Sequence, residues 1–253
     1  MKVIAIANQK GGCAKTTTVV NLAAALGEQG KRILVLDLDP QSNASSWLGS
    51  DCAINGSFRL MTTKDEIGSL IEETEAAGVS VISASRELAG LEKALAGEMA
   101  VETKLKRRLS GLDEQAWDFV LIDTPPTLGL MTLNALVAAK QLLIPVTTHI
   151  LTLSGVAQLM ATFNEVRDLL NPDLEILGLV PSRFDSRTRH AQEILSALEE
   201  KFGNRVLKSR IHESIRLAEA PSFTQSILAY KPSSTAAKDY RALAGEILNL
   251  INT

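Results

Sequence analysis

Short runs of apolar residues recur along this chain, and most of them are apolar at every position instead of at every second one. A strand of that composition is buried on both faces, which is typical of a parallel sheet. The candidate strands are VIAIAN (3–8), RILVLDLD (32–39), VSVISAS (79–85), FVLIDTPP (119–126), LLIPVTT (142–148), EILGLVPSRF (175–184) and VLKSRI (206–211). The sequence therefore predicts an α/β fold with a mostly parallel, twisted sheet covered by helices on both faces.

Segments with helical periodicity lie between these runs, so right-handed crossovers are expected to join the strands. The predicted helices cover residues 16–30, 154–172, 188–203 and about 233–252. No linker rich in proline, glycine and serine divides the chain, so we expect a single domain over residues 1–253 with the last helix packed on it. The segment 50–115 is the least regular, and we interpret its charged stretch ETKLKRRL (102–109) as a solvated helix face.

Composition limits the classes of protein to which the chain can belong. A net charge of −3 argues against a protein that always coats nucleic acid, but leaves a local basic patch open. The only cysteines, Cys13 and Cys52, are too few for a zinc site and suit a reduced compartment. No apolar stretch reaches the roughly 18 residues that span a bilayer, and the N-terminus lacks the features of a signal peptide. We expect a cytoplasmic protein with no membrane partner.

The first predicted strand leads into QKGGCAKTTT (9–18) and then into a helix, which is the context of a phosphate-binding loop. The free N–H groups and positive dipole end of a helix N-terminus hold an anion, and glycines let the backbone approach it. Lys15 would place its charge between the terminal phosphates, and the Thr16 hydroxyl would bind Mg²⁺. The loop departs from G-x-x-x-x-G-K-[ST] at Gln9 and Ala14. A tight turn without a ligand is therefore the alternative interpretation.

The departure at Ala14 has two possible structural meanings. An alanine that needs a positive φ would cost roughly 1 kcal/mol at this position. An alanine in the first helical turn would be harmless or favourable. We expect Ala14 to lie in the first turn.

Two further strands end in carboxylates. Asp37 and Asp39 close the run RILVLDLD, and Asp123 closes the apolar part of FVLIDTPP. Ligands of open parallel sheets bind at the carboxyl ends of strands, so we expect these side chains and the lysine loop to converge. Asp123 would hold Mg²⁺ through water, and Asp39 could orient an attacking water. One such aspartate is more simply a turn residue, but three beside a lysine loop favour nucleotide chemistry.

Together these motifs resemble the deviant Walker-A ATPases of the ParA/MinD family, and within it the ParA branch. The resemblance extends along nearly the whole chain, through NQKGG (8–12), DLDPQSNAS (37–45), IDTPPTLGLMTLNAL (122–136), FDSRT (184–188) and IRLAEAPSF (215–223). It implies a single-domain P-loop NTPase that binds ATP or ADP with Mg²⁺, hydrolyses ATP slowly and forms an ATP-sandwich homodimer. The chain departs from the family pattern at KGGCAKTT, DPQSN and APSFTQS, where the family has KGGVGKTT, DPQGN and APSFGKP.

The resemblance also implies roles for single residues. Lys10 resembles the signature lysine that reaches the phosphates of the partner subunit, Asp39 the residue needed for hydrolysis, and Asp123 the Walker B carboxylate. The expected catalytic residues are thus Lys10, Lys15, Asp39 and Asp123, and the expected Mg²⁺ site is Thr16, Asp39 and Asp123, with the carboxylates acting through water. The expected nucleotide-binding residues are Lys10, Gly11, Gly12, Cys13, Ala14, Lys15, Thr16, Thr17, Arg183, Pro221, Ser222 and Phe223.

A nonspecific DNA surface is the last site that the resemblance implies, because Arg187 and Arg216 match DNA-binding arginines of the family dimer. Residues 183–216 carry eight basic and five acidic side chains, a charge of +3 in a chain of net charge −3. Such an excess suits weak binding that strengthens when two patches align, although charge alone favours a solvated helix face. We expect Arg187, Arg189, Lys208 and Arg216 to contact double-stranded DNA.

The implied function is a switch in which ATP drives dimerisation and nucleoid binding, and a ParB-like protein or cargo adaptor stimulates hydrolysis. The cargo would be a chromosome or plasmid, and a protein cargo such as carboxysomes or chemoreceptor clusters is the alternative. A membrane-positioning protein of the MinD type is less favoured, because the tail at 241–253 has one basic residue instead of a basic amphipathic face. A binding module without hydrolysis is a further alternative, whereas a nitrogenase iron-protein type would need more cysteines.

Overall fold

The computed structural model describes residues 1–148 and 152–252, and most of the predicted strands are found in it. The strands are β1 (Lys2–Ile6), β2 (Ile33–Asp37), β3 (Glu72–Glu73), β4 (Val79–Ile82), β5 (Phe119–Asp123), β6 (Gln141–Thr147), β7 (Glu175–Phe184) and β8 (Ile211–His212). They form one sheet in the order β3-β4-β2-β5-β1-β6-β7-β8. Every neighbouring pair is parallel except β3 with β4. The expected mostly parallel sheet is confirmed.

Helices of very different lengths connect the strands. They are α1 (Lys15–Glu28), α2 (Asn43–Trp47), α3 (Gly56–Thr62), α4 (Leu91–Ala94), α5 (Lys104–Leu109), α6 (Leu130–Ala138), α7 (Thr152–Leu169), α8 (Arg189–Phe202), α9 (Ile215–Glu219), α10 (Ile227–Tyr230) and α11 (Thr235–Asn252). The four long helices predicted from the sequence correspond to α1, α7, α8 and α11. In the described part of the chain, no helix is both long and apolar enough to cross a membrane.

Each central strand contributes to two apolar clusters, one on each face of the sheet. In β1, Val3 and Ala5 belong to one cluster, while Ile4 and Ile6 belong to the other. Successive side chains of a strand point to opposite faces, so this division follows from the uniformly apolar composition of the strand. Helices α3 to α8 cover the first face, and α1, α2, α10 and α11 cover the second. Helices on both faces are thereby confirmed.

The predicted strand at 206–211 is wrong for most of its length. Val206 forms only an isolated bridge with Leu179, and regular pairing with β7 begins at Ile211. Between them the N–H groups of Lys208 and Ser209 donate to the carboxylate of Glu246, each at 2.8 Å. The Glu246 side chain on α11 thus accepts the backbone N–H groups that would otherwise pair with a neighbouring strand. The pair β3–β4 was not predicted, because two glutamates carry no apolar signal.

The register of the central strands determines where functional groups can lie. Asp37 pairs with Asp123 across β2 and β5, and Asp123 pairs with Ile6 across β5 and β1. The three strands therefore end at the same level. The loop that leaves β1 begins beside both carboxylates, at the carboxyl edge where open parallel sheets bind ligands.

Gly27, near the end of α1, allows this helix to approach the turn before β4. A Cβ at Gly27 would overlap the backbone carbonyl oxygen of Ala77. We expect Gly27→Ala to lower the free energy of unfolding by about 1–3 kcal/mol, as measured by urea denaturation. The control Gly245→Ala lies in α11, where a Cβ meets nothing within 4 Å. It should be neutral or stabilise by up to about 1 kcal/mol, and similar losses in both variants would contradict the packing argument.

Candidate functional site

The loop between β1 and α1 turns through two residues with left-handed backbone, Gly12 at φ 73° and Ala14 at φ 63°. Ala14 is the N-cap of α1, because its carbonyl accepts the N–H of Thr18 at 2.8 Å while its own backbone is not helical. The N–H groups of the first turn of α1 have no intrahelical acceptor. They face the loop, so the loop and the helix N-terminus form an anion-binding arrangement.

The expectation that Ala14 lies in the first helical turn is wrong. The chain has to reverse direction between Gly12 and Lys15, and it does so with Ala14 at φ 63° and ψ 26°. Helix propensity has no influence on a residue whose backbone is not helical. A residue with a Cβ costs about 1–2 kcal/mol in this region, so the loop is held by its surroundings against a local preference.

Two lysines of the loop have different surroundings. Lys15 is 6 % exposed, and its ammonium makes one long hydrogen bond, 3.5 Å, to the carbonyl of Lys10. Burial lowers the pKa of Lys15, and the carboxylates of Asp123 and Asp39 act in the opposite direction. The ammonium is thus buried and weakly paired, which leaves it able to bind a phosphate.

Lys10 has a hydrogen-bonded backbone and lines a cavity of its own. Its N–H donates to Asn8 Oδ1 at 3.2 Å, and Asn8 Nδ2 donates to the carbonyl of Pro145 at 2.8 Å. Its side chain lines an open cavity of about 420 Å³ together with Gln9, Gln158 and residues 126–128. Among the described residues, no carboxylate forms an ion pair with Lys10. The backbone of Lys10 is therefore anchored, and the residue borders an open cavity.

Thr16 and Asp123 form the centre of the expected metal site. The Thr16 hydroxyl donates to Asp123 Oδ2 at 2.7 Å. Asp123 is fully buried, and its Oδ1 has no hydrogen-bond partner within the described parts of the chain. Burial, and next the neighbouring charge of Asp37, raise the pKa of Asp123 well above its usual range. A buried carboxylate oxygen without a partner, beside a hydroxyl, fits the oxygen ligands that Mg²⁺ prefers.

Asp37 and Asp39 have separate roles, although the sequence grouped them. Both oxygens of Asp37 are occupied: Oδ1 accepts the Asp39 N–H at 3.0 Å, and Oδ2 accepts from the N–H and hydroxyl of Ser45 at 2.9 and 2.7 Å. Burial raises the pKa of Asp37 to about 6. Asp39 is 7 % exposed and accepts the Gln41 N–H through Oδ1 at 3.0 Å. Asp37 therefore positions the turn that carries Asp39.

A cavity of about 510 Å³ opens beside the loop. Gly12, Ala14, Thr17 and Arg183 line it on one side, so four residues expected to bind nucleotide meet there. The other side is formed by residues 211–215, Leu217, Ala218 and Tyr240. The sequence did not predict these residues, because Tyr240 lies in an apolar helical pattern that indicates core and His212 ends a strand of only two residues.

Pro221, Ser222 and Phe223 do not line this cavity. They belong to a 3₁₀ turn at Ala220–Phe223, where Phe223 is 56 % exposed and stacks on Tyr230 with ring centroids 4.9 Å apart. The indole N–H of Trp47 donates to the carbonyl of Gln225 at 2.7 Å and anchors the segment that follows. A role of residues 221–223 in binding the base stays a prediction.

The two remaining residues of the predicted loop contribute in different ways. Gly11 is exposed, and Cys13 is 1 % exposed. Burial raises the pKa of the Cys13 thiol, which therefore stays protonated at neutral pH. Cys13 thus packs under the loop, and a contact of its side chain with nucleotide has no support in this arrangement.

The basic residues expected to bind DNA are all exposed, but they are not all together. Arg187 and Ile215 line one cavity of about 590 Å³, which places Arg216 next to it. Arg187 pairs with Asp185 at 2.9 Å and Arg216 with Glu219 at 2.7 Å. Lys208 does not line this cavity and lies beside α11. The structure thus places Arg187 and Arg216 near the same cavity. Arg189 follows two residues after Arg187 in the chain, and Lys208 lies elsewhere.

Comparisons with known proteins agree with this geometry. Residues 1–176 match the family model described as an AAA domain. The chromosome-partitioning ATPase Soj of Thermus thermophilus is 43% identical over 245 residues, covering 97% of this chain and 94% of that protein. A cobyrinic acid a,c-diamide synthase from Mycobacterium smegmatis, solved with ADP and magnesium, is 34% identical with a TM-score of 0.88, covering 100% and 96%. The cell division ATPase MinD of Pyrococcus furiosus is 26% identical with a TM-score of 0.81, covering 98% and 99%.

The fold and the loop define a nucleotide-binding protein of the P-loop class. With these relatives, the chain belongs to the ParA/MinD family of deviant Walker-A ATPases. The resemblance seen in its motifs is thereby confirmed. A related structure also holds ADP and magnesium, which supports nucleotide and magnesium binding within the family.

Ala14 allows a direct test of the loop geometry. Ala14→Gly removes the left-handed penalty of about 1–2 kcal/mol and adds chain entropy to the unfolded state, worth about 0.4–1 kcal/mol. We therefore expect an unchanged or higher melting temperature by calorimetry. The control Ala24→Gly, inside α1, should destabilise by about 1 kcal/mol. A clear loss of stability in Ala14→Gly would contradict the assigned backbone.

The raised pKa of Asp123 predicts how magnesium binding depends on pH. Mg²⁺ binds the ionised carboxylate and must displace a proton from a group whose pKa is above its usual range. Protonated Asp123 predominates below its raised pKa, so the gain in ADP affinity caused by Mg²⁺ should increase as the pH rises through that pKa, which lies above the usual range of an aspartate. Calorimetric titrations with ADP, with and without Mg²⁺, measure this gain. Asp123→Asn should lose most of it, and an equal pH dependence in both proteins would refute the assignment.

Proposed function

We propose that this chain is an ATP-driven switch. In this proposal ATP promotes a homodimer that binds double-stranded DNA without sequence preference, and hydrolysis stimulated by a partner ends the bound state. The observation that carries the proposal is the arrangement of two lysines around one loop. Lys15 is buried beside Thr16 and Asp123, whereas Lys10 is anchored through its backbone and lines an open cavity.

Hydrolysis rests on the carboxyl edge of the sheet. Thr16 and Asp123 would hold Mg²⁺, which supplies charge neutralisation at the phosphates when bound. Lys15 would bind the terminal phosphates from below the loop. Asp39, held by Asp37, would orient the attacking water. A carboxylate is a weak base at neutral pH, so Asp39 positions the water and turnover is slow.

Dimerisation rests on Lys10. No carboxylate among residues 1–148 and 152–252 pairs with the Lys10 ammonium, so this ammonium next to the phosphate loop is suited to a negative group from a second molecule. In a face-to-face dimer this group would be the nucleotide of the other subunit. Nucleotide binding would then be linked to association, because the phosphates neutralise both Lys15 within one subunit and Lys10 from the other.

DNA binding rests on Arg187, Arg189, Lys208 and Arg216. The ion pairs of Arg187 and Arg216 are exposed, and such pairs contribute about 0–1 kcal/mol. Both arginines can exchange their carboxylates for DNA phosphates at little cost. A dimer would present two such patches, and linked patches bind with much higher avidity than one. The chain would then be cytoplasmic and associated with the nucleoid.

The role in the cell that we propose is segregation of a chromosome or plasmid, with a ParB-like partner. The relative from Thermus thermophilus supports this role, since it is named a chromosome-partitioning ATPase. Positioning of a protein cargo by the same switch is the alternative, and identification of the bound partner by affinity purification distinguishes the two.

The decisive experiment measures size and DNA binding with ATP and with ADP. We expect a dimer that binds a nonspecific duplex only with ATP. Lys10→Ala should still bind ATP but stay monomeric. Arg216→Glu should dimerise but bind DNA at least about tenfold more weakly, since each phosphate contact contributes to affinity.

The matched control is Arg167→Glu, which also removes an exposed arginine paired with a neighbouring carboxylate, Asp168. It should bind DNA like the parent protein. Equal DNA binding with ATP and ADP would refute the switch, and equal losses in the two Arg→Glu variants would refute the assigned DNA surface. Asp39→Ala should bind ATP without turnover, and a parent protein with no turnover in the presence of DNA and partner would refute the enzyme.

A further inference from the structure

The charged stretch 102–109 does more than form a solvated helix face. Within it α5 buries Leu105 and Leu109, and its basic residues Lys104, Arg107 and Arg108 line a common surface with the end of α3. A cavity of about 350 Å³ lies between them. Its lining residues are Thr62, Thr63, Lys64, Glu98, Lys104, Arg107 and Arg108. Segments that are about forty residues apart in the chain thus bring four cations to one concave site.

The positive charge of this cavity is only partly compensated. Glu98 is the one carboxylate in its lining, and it pairs with Lys104. Lys64 and Arg107 are exposed and have no ion-pair partner among residues 1–148 and 152–252. The lining therefore carries four positive charges and one negative charge, in a chain whose net charge is −3.

Arg108 adds an independent sign of an incomplete site. One of its terminal nitrogens donates to the carbonyl of Asp65. Its Nε is buried and has no hydrogen-bond partner in the described part of the chain. Buried polar groups normally have a partner, so the guanidinium of Arg108 retains unused hydrogen-bonding capacity at the border of this cavity.

We propose that this cavity binds a small molecule that carries two or more phosphate groups. Its volume lies in the range of small-molecule pockets, about 300–1,000 Å³. Arginine side chains match the geometry of phosphate oxygens, and lysine adds point charges. The lining contains no aromatic residue on which a base could stack, so recognition is directed at the phosphates. A DNA duplex presents its phosphates on a convex surface and would reach a concave site of this kind poorly.

The site is separate from the phosphate loop. None of its lining residues lines the cavity beside Gly12 and Ala14. Helices α3 and α5 also pack on the face of the sheet opposite to α1. The ligand can therefore be bound while nucleotide occupies the loop, and binding of one does not require the other.

Equilibrium dialysis with labelled pyrophosphate tests the proposal on the full chain, with Mg-ADP added at one equivalent per chain to occupy the phosphate loop, because an excess of a second diphosphate would compete for the cavity under test. We expect one saturable site. Arg107→Ala and Lys64→Ala should each weaken it about tenfold, because each removes a charge-assisted contact. Both positions are exposed, so folding should be retained, and thermal unfolding checks this. Lys106→Ala is the control, since Lys106 is exposed on the same helix but does not line the cavity. It should change the affinity by less than about twofold.

Three results would overturn the proposal. The first is an absence of saturable pyrophosphate binding. The second is an equal loss in the Arg107 and Lys106 variants, which would indicate diffuse attraction to a basic helix. The third is displacement of pyrophosphate by a short DNA duplex or a polyglutamate peptide at lower concentration than by unlabelled pyrophosphate. That result would assign the surface to DNA or to an acidic protein. Lys64→Ala keeps the test valid if Arg107→Ala does not fold.

Discussion

The common level at which β1, β2 and β5 end is the constraint on which the rest of this structure depends. It places Asp37 and Asp123 side by side in a buried position, next to the start of the loop from β1. Two adjacent carboxylates in an apolar interior are electrostatically unfavourable. The buried charge of Lys15 interacts favourably with Asp123 and so partly offsets this repulsion. The sheet therefore creates a charge arrangement that a cation and an anion from outside would complete.

Several features of the loop are unfavourable when the chain is considered by itself. Ala14 has a left-handed backbone, Lys15 is buried with one long hydrogen bond, and Asp123 has an oxygen without a partner. Each of these costs stability in a protein without ligand. All three lie where phosphates and a metal would bind. Binding of these ligands would therefore supply partners to Lys15 and Asp123 and offset part of the lost stability. Such coincidence is expected at functional sites, where local preferences are overridden.

The sequence predicted the parts of the molecule that depend on local composition. Uniformly apolar runs indicated the parallel sheet, and glycines with a lysine and three aspartates at strand ends, Asp37, Asp39 and Asp123, indicated the site. What it could not predict depends on contacts between distant residues. Most of the segment 206–211 does not form a strand, because backbone N–H groups in it donate to Glu246 on α11. Asp37 differs from Asp39 because its carboxylate accepts hydrogen bonds from Ser45. The cavity at α5 needed α3 beside it, and the backbone of Ala14 depends on the whole loop.

The hydrogen bond between Trp47 and Gln225 has an optical consequence. Trp47 follows the turn that carries Asp39, and its buried indole ring is tied to the segment after Ala220–Phe223. The chain contains only one other tryptophan, Trp117. Indole emission responds to changes in hydrogen bonding and burial. A rearrangement between these two segments that breaks the hydrogen bond of Trp47 or exposes its ring therefore shifts the emission maximum of the intrinsic fluorescence. The protein thus carries an intrinsic fluorescent reporter at the junction between the turn that follows β2 and the C-terminal region.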